Sequence, residues 1–271
     1  LGGRENVARA KGEIFLGVEK DGAAVLPVDN DLFGLLRDLA QAAGVQRIIT
    51  FGESKDADIR LDSYLMREDG GDVAASVFGA PFEFSLSAPG RHQAMNALAV
   101  IGAARAIGVP AAKAAAGLKG LAAAAGRGAQ SRITLKSGAE VLILDESYNA
   151  NPTSMAAALA LLGQLQPKVS GRRVAVLGDM LELGPDAPAL HAGLAEALVA
   201  ARVDRLYVAG ALMRHLWDKA PEAIRADAAP DAKTLTAAVV ASVHDGDIVM
   251  VKGSNASKVS EIVAALKASA A

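Results

Sequence analysis

The sequence predicts an α/β protein built from two domains. Apolar residues switch repeatedly between helical spacing and short β-branched runs, the pattern of alternating helices and buried parallel strands. In the second half, RRVAVLGD (172–179), DRLYVAG (204–210) and DIVMVKG (247–253) each end in Gly or an acidic residue and are each followed by a helical pattern. A small, Gly-containing stretch, LAAAAGRGAQ (121–130), separates this regular half from a less regular one and reads as a linker. Domains over 1–125 and 126–271 are therefore expected.

In the first domain, AAVLPV (23–28) and QRIITFG (46–52) read as buried strands around a helix over 32–43. DIRLDSYLMRED and VAASVFGAPFEFSLSAPG then alternate polar and apolar residues across Gly70-Gly71, as an antiparallel ribbon does. Helical spacing resumes from Arg91 to Ile107, Gly108 and Pro110 stop it, and a second helix is expected over 111–121. Beyond the linker, ITLKSGAEVLILDES reads as a hairpin whose second strand leads into the loop DESYNANPTSM (145–155). There is no internal repeat.

Composition excludes several classes. The 271 residues are 52% hydrophobic and 21% charged, ample for a buried core. Lys and Arg number 28 against 30 Asp and Glu, so no basic stripe points to nucleic acid or an anionic membrane. Absence of cysteine removes disulfides, thiolate ligands and a thiol nucleophile, and suits a reducing compartment, with the cytoplasm as default. No apolar run approaches the ~18 residues of a membrane span. The opening LGGRENVARAKGEIF has neither an initiator Met nor a signal-peptide core, which leads us to expect further residues upstream.

The loop at 145–155 concentrates polar groups. Asn151-Pro152 reads as a helix start, Asn at the N-cap and Pro where its missing N–H costs nothing, with Met155, Leu159 and Leu162 as the buried stripe. Asp145, Glu146, Ser147, Tyr148 and Asn149 thus fall where a strand ends and a helix begins, a place that offers backbone N–H groups to an anion. A cap and a tied turn would need fewer polar residues than these.

This loop resembles the D-D-S-Y-N-A-N-P signature of the Mur ligase family, in the branch that adds D-alanyl-D-alanine to UDP-N-acetylmuramoyl-tripeptide. Four further stretches are similar in order and spacing: ARAKGEI (8–14), PGRHQAMNALAV (89–100), VLGDMLELG (176–184) with His191, and VKGS (251–254). The resemblance runs from one end of the chain to the other. It implies the latter part of a central P-loop-type ATP-binding domain, a parallel sheet with an antiparallel ribbon, followed by a Rossmann-like C-terminal domain. It also implies an ATP- and Mg2+-dependent cytoplasmic ligation in peptidoglycan synthesis, proceeding through an acyl phosphate.

Carried over residue by residue, the resemblance implies catalytic roles for Lys11, Glu146 and Lys252. Lys11 matches a lysine that sister ligases carbamylate to hold magnesium; an ordinary exposed helix lysine is the alternative. His92, Gln93 and Asn96 would meet the nucleotide, with Arg127, Glu146, Tyr148, Asn149 and Asn151 on the same ligand from the later domain. Gln93 and Glu146 stand where the family more often has Asn and Asp. Asp179, Glu182 and Ser254 would frame the incoming dipeptide and the acyl phosphate, and His191 is either a substrate contact or a satisfied, half-buried histidine.

A search for G-x-x-x-x-G-K-[ST] finds nothing; GESK at 52 and VKGS at 251 have the wrong order and spacing for a phosphate cradle. The 271 residues alone are therefore not expected to turn over ATP, and a non-catalytic nucleotide- or dipeptide-binding module is the alternative reading. An exposed parallel-sheet edge would favour self-association, and a bend is expected near Gly126–Gly128.

Overall fold

The computed structural model describes residues 3–67, 70–121 and 123–271. The chain forms two compact units, Leu1–Ala122 and Ala123–Ala271, each with its own sheet. Glu68 and Asp69 of the expected ribbon, and Ala122 of the expected linker, lie outside the described residues.

The first unit begins with α1 (Arg4–Gly12) and then runs β1 (Ala23–Pro27), α2 (Phe33–Ala42), β2 (Arg47–Gly52), β3 (Ile59–Arg67), β4 (Gly70–Val77), β5 (Ala80–Leu86), α3 (Arg91–Ala106) and α4 (Ala111–Leu118). The strands lie in sequence order, β1 to β3 parallel and β3 to β5 antiparallel. The β2–β3 connection is closed by Asp58, whose carboxylate accepts the Thr50 N–H at 2.8 Å and the Thr50 hydroxyl at 2.9 Å. On one face, Ile49, Ile59, Leu61, Val73 and Ala75 pack with Ala94, Leu98 and Ile101 of α3. On the other, Phe15, Ala24, Leu26 and Ala40 form a smaller core.

The ribbon departs from its expected form. VAASVFGAPFEFSLSAPG is two strands rather than one, turned at Phe78 (φ 49) and Gly79 (φ 80). Two successive positive φ values match the right-handed twist of the flanking strands, and Phe is an unusual residue for that position.

The second unit comprises β6 (Ala129–Thr134), β7 (Glu140–Glu146), α5 (Pro152–Gln164), β8 (Arg173–Gly178), α6 (Ala187–Ala192), α7 (Ala195–Ala200), β9 (Arg205–Ala209), α8 (Met213–Lys219), β10 (Arg225–Ala229), α9 (Ala232–Ser242), β11 (Ile248–Lys252) and α10 (Ser260–Ala268). The sheet order is β10-β9-β8-β11-β7-β6, parallel except for the β6–β7 hairpin. α9 and α10 cover one face through Leu235, Val239, Ile262 and Leu266, packed on Ile143, Val174, Val176, Val249 and Val251. α5 packs on β8 and β11. β7, β8 and β11 are buried along nearly their whole length, as strands covered on both faces must be.

β10 was not legible in the sequence. RADAA lacks the β-branched run that marks the other strands, and as an edge strand it is only half-buried. The last strand, β11, returns to lie between β7 and β8. That insertion brings the carboxyl ends of three chain-distant strands side by side.

Candidate active site

The carboxyl ends of β7, β11 and β8 carry the polar residues. Lys252 pairs in register with Glu146 on one side and Leu177 on the other. Its ammonium lies 3.5 Å from Glu146 Oε2 and donates to the Asn149 carbonyl at 2.9 Å. Both side chains are nearly enclosed, Lys252 at 3% and Glu146 at 8% exposure. Burial pushes the Lys252 ammonium below the ordinary lysine range, and the Glu146 carboxylate opposes that shift. The pair thus encloses a cation at the carboxyl edge of the sheet.

Asp145 organises the entry to this edge. One carboxylate oxygen accepts the Gly126 N–H at 3.0 Å, and the other accepts the Ser147 N–H at 3.2 Å and the Ser147 hydroxyl at 2.6 Å. The Asp145 carbonyl takes the Gly128 N–H at 2.9 Å, and Tyr148 N–H donates to the Gly126 carbonyl at 3.0 Å. Gly126 has φ +75, and a Cβ there would meet Tyr148 Cβ at 2.8 Å, so this close approach requires glycine. The turn Gly126–Gly128 is therefore tied to β7. It carries Arg127 with its guanidinium 4.0 Å from the Tyr148 ring centroid.

Asn151 caps α5 in a full capping box: its Oδ1 accepts the Ser154 N–H at 2.8 Å, and Ser154 Oγ accepts the Asn151 N–H at 3.0 Å. Asn149 Oδ1 accepts the Ala150 N–H at 2.8 Å. The amide oxygens of Asn149 and Asn151 are therefore both engaged within the loop itself.

The loop after β8 is fixed from three directions. Asp179 Oδ1 accepts the Met213 N–H at 2.8 Å, at the start of α8. Ser254 donates its N–H to the Asp179 carbonyl at 3.0 Å and accepts the Leu181 N–H on Oγ at 2.9 Å. His191 Nε2 accepts the Met180 N–H at 2.9 Å. Glu182 follows in a left-handed conformation, φ 64, and its side chain is exposed.

Of the expected residues, Glu146, Tyr148, Asn149, Asn151, Asp179, Glu182, Lys252 and Ser254 thus stand at the carboxyl edge of the second sheet, with Arg127 above Tyr148. His92, Gln93 and Asn96 open α3 in the first unit, behind Gly90, whose φ of 116 favours glycine and against which the His92 ring packs. Gly90 N–H donates to the Tyr64 hydroxyl at 2.7 Å, which fixes the helix start. Lys11 is exposed on α1, as the alternative reading of that residue allowed. The plainer sequence reading, Asp145 and Ser147 tying a turn and His191 a satisfied histidine, describes these residues, with His191 fully buried rather than half-buried; what the sequence did not show is that Asp145 also accepts from Gly126 and that His191 holds Met180.

These features define a class: a two-unit α/β protein with a Rossmann-like second unit whose strand ends carry the polar cluster. Residues 1–104 match the Mur ligase middle domain, and residues 131–255 match the Mur ligase, glutamate ligase domain. The chain belongs to the Mur ligase family. The UDP-N-acetylmuramoyl-tripeptide–D-alanyl-D-alanine ligase of Bacillus subtilis (strain 168) is 31% identical over 266 residues, 97% of this chain and 55% of that protein. The enzyme of the same name from Escherichia coli (strain K12) is 32% identical over 211 residues, 78% of this chain and 44% of that protein. A crystal structure of MurF from Acinetobacter baumannii superposes with a TM-score of 0.82 at 25% identity, covering 98% of this chain and 56% of the other. MurF ligase from Thermotoga maritima in complex with ADP gives 0.81 at 23% identity, over 99% and 58%, and speaks for the fold. The chain spans about half the length of the curated relatives it matches. The resemblance read from the five motifs and the α/β architecture are thereby borne out.

Proposed function

We propose that the protein carrying this chain is an ATP-dependent amide ligase that joins D-alanyl-D-alanine to UDP-N-acetylmuramoyl-tripeptide in peptidoglycan precursor synthesis, in the cytoplasm. The observation that carries this reading is the 31% identity to a ligase of that name along 97% of the chain. The enclosed Lys252–Glu146 pair beside the Arg127–Tyr148 stack supports it, because such a reaction needs cations placed where negative charge develops.

ATP supplies the γ-phosphoryl group that makes the tripeptide carboxylate reactive toward an amine. The residues of this chain supply placement and charge. Arg127 presents an exposed guanidinium held over the Tyr148 ring, a fit for a phosphate oxygen. Lys252, fixed between Glu146 and the Asn149 carbonyl, offers its ammonium to a nearby oxyanion. Asp179 and Ser254 brace the loop that bears Glu182 against the incoming dipeptide. At the opening of α3, His92, Gln93 and Asn96 would contact the nucleotide base.

Mg2+ belongs to the proposed reaction as the partner of ATP. Among the described residues no group of three or more His, Asp and Glu stands together as a cation cage, and Lys11 is exposed on its helix. The described residues do not fit a self-contained magnesium site.

The deciding experiment measures phosphate release by the complete protein with ATP, UDP-N-acetylmuramoyl-tripeptide and D-alanyl-D-alanine, omitting each in turn. Release that requires all three supports the ligase. Calorimetric binding of an ATP analogue or the dipeptide without any turnover by the complete protein would instead establish a binding module.

A further inference from the structure

His191 is fully buried on α6, and its two ring nitrogens have different partners. Nδ1 lies 2.6 Å from the Ala187 carbonyl, and Nε2 lies 2.9 Å from the Met180 backbone nitrogen. A carbonyl can only accept and a backbone N–H can only donate. The pair therefore fixes both charge state and tautomer: the proton sits on Nδ1, and Nε2 is a bare acceptor. A second proton on Nε2 would set one N–H against another in the buried interior, and a buried donor without an acceptor is costly.

The residue that Nε2 holds is the centre of the loop after β8. Met180 is itself fully buried, and it lies between Asp179, which caps the turn before α8, and Leu181, which is bound to Ser254. Glu182 is the next residue, in a left-handed conformation that a tightly held loop must sustain.

We propose that His191 is a positioning residue of the ligation reaction: as a neutral imidazole it latches the loop Asp179–Gly184 in the form that presents Asp179 and Glu182, and protonation releases the latch. The positioning role rests on the proposed ligase activity; the latch itself rests only on the geometry.

The charges around the ring set how readily it takes a proton. Burial pushes the imidazole below its ordinary range; the bond to the Ala187 carbonyl and the Asp179 charge pull the other way, and His215 on the neighbouring α8 adds to the lowering. The other charged groups of α8, Arg214, Asp218 and Lys219, are exposed, and Arg214 pairs with Asp218 at 3.0 Å. Asp186, on the turn before α6, is exposed. A loop-open state leaves His191 solvated, with an ordinary pKa of about 6.5. Because the closed state takes the proton only at lower pH, closure is complete above the ordinary value and weakens as pH falls below it.

The test follows the exchange of the Met180 amide by NMR, corrected for its intrinsic pH dependence. In the unchanged 271-residue chain, protection should fall about tenfold, the equivalent of one lost buried hydrogen bond, between about pH 7.5 and about pH 5. In His191→Gln the side-chain oxygen accepts without titrating, and protection should not change with pH. In His191→Leu it should be low throughout. Protection in the unchanged chain that does not vary with pH, or equal protection in His191→Leu, overturns the latch; if His191→Leu does not fold, the contrast between the unchanged chain and His191→Gln decides alone. In the complete enzyme, kcat/KM for D-alanyl-D-alanine should show an acid limb that His191→Gln removes, and an identical limb in both overturns the positioning role. Absence of any ligation removes the positioning role together with the ligase reading, and the exchange result still decides the latch.

Discussion

The guanidinium of Arg127 lies 4.0 Å from the centroid of the Tyr148 ring. Tyr148 is half-exposed, so the ring serves as a shelf rather than as core. An Arg–aromatic contact at an exposed site contributes about 0.5–1 kcal/mol. In the complete protein, Tyr148→Leu should weaken ATP binding about two- to fivefold by calorimetry, whereas Tyr148→Phe should leave it unchanged. Equal affinities for all three would remove Arg127 from the nucleotide.

Asp145 accepts two backbone N–H groups and one hydroxyl, on two separate segments. Asp145→Ala leaves those buried donors without acceptors and should cost about 2–4 kcal/mol, read as a lower urea midpoint for the second unit. Gly126→Ala adds a Cβ at φ +75 against Tyr148 and should also destabilise, by more than about 1 kcal/mol. A bend at Gly126–Gly128 would have to break these same contacts. Gly126→Pro disrupts the turn on two counts, because proline cannot adopt φ +75 and lacks the N–H that Asp145 accepts.

Removing one partner of an enclosed ion pair leaves a buried charge. Lys252→Met alone should lower stability by about 3 kcal/mol. Adding Glu146→Leu should restore more than half of that loss, although ligation stays abolished in both variants. A double variant no more stable than the single one would show that Lys252 acts through its packing and not through Glu146.

Asn151→Ala breaks the capping box of α5 and should cost about 1 kcal/mol, or about 2–4 °C in the melting temperature of the second unit. Asn151→Asp and Asn151→Ser keep the acceptor and should recover most of it. If Asn151→Asp recovers stability but not ATP binding, the side-chain N–H2 contacts the ligand in addition to capping.

Much of the scaffold was legible from local rules. The strand runs 172–179, 204–210 and 247–253 are apolar and β-branched because β8, β9 and β11 are buried on both faces, and Asn151-Pro152 marked the start of α5 because cap chemistry is local. The turn at Phe78-Gly79 escaped detection because its left-handed Phe violates the usual turn preference, and β10 escaped because an edge strand needs no apolar run. At the site, Glu146, Tyr148, Asn149 and Asn151 were legible as a cluster since they are adjacent in the chain. The pairing of Lys252 with Glu146, 106 positions apart, was not.

The sequence by itself determined the alternation of helices and strands, the caps, and the family motifs, because periodicity, capping and motif spacing all act over a few residues. Only the tertiary structure decided that β11 inserts between β7 and β8, that Lys252 is enclosed against Glu146, and that His191 is held in one neutral tautomer by Ala187 and Met180. Those outcomes depend on burial and on partners distant along the chain, which fix charge state and hydrogen-bond roles that no local pattern encodes.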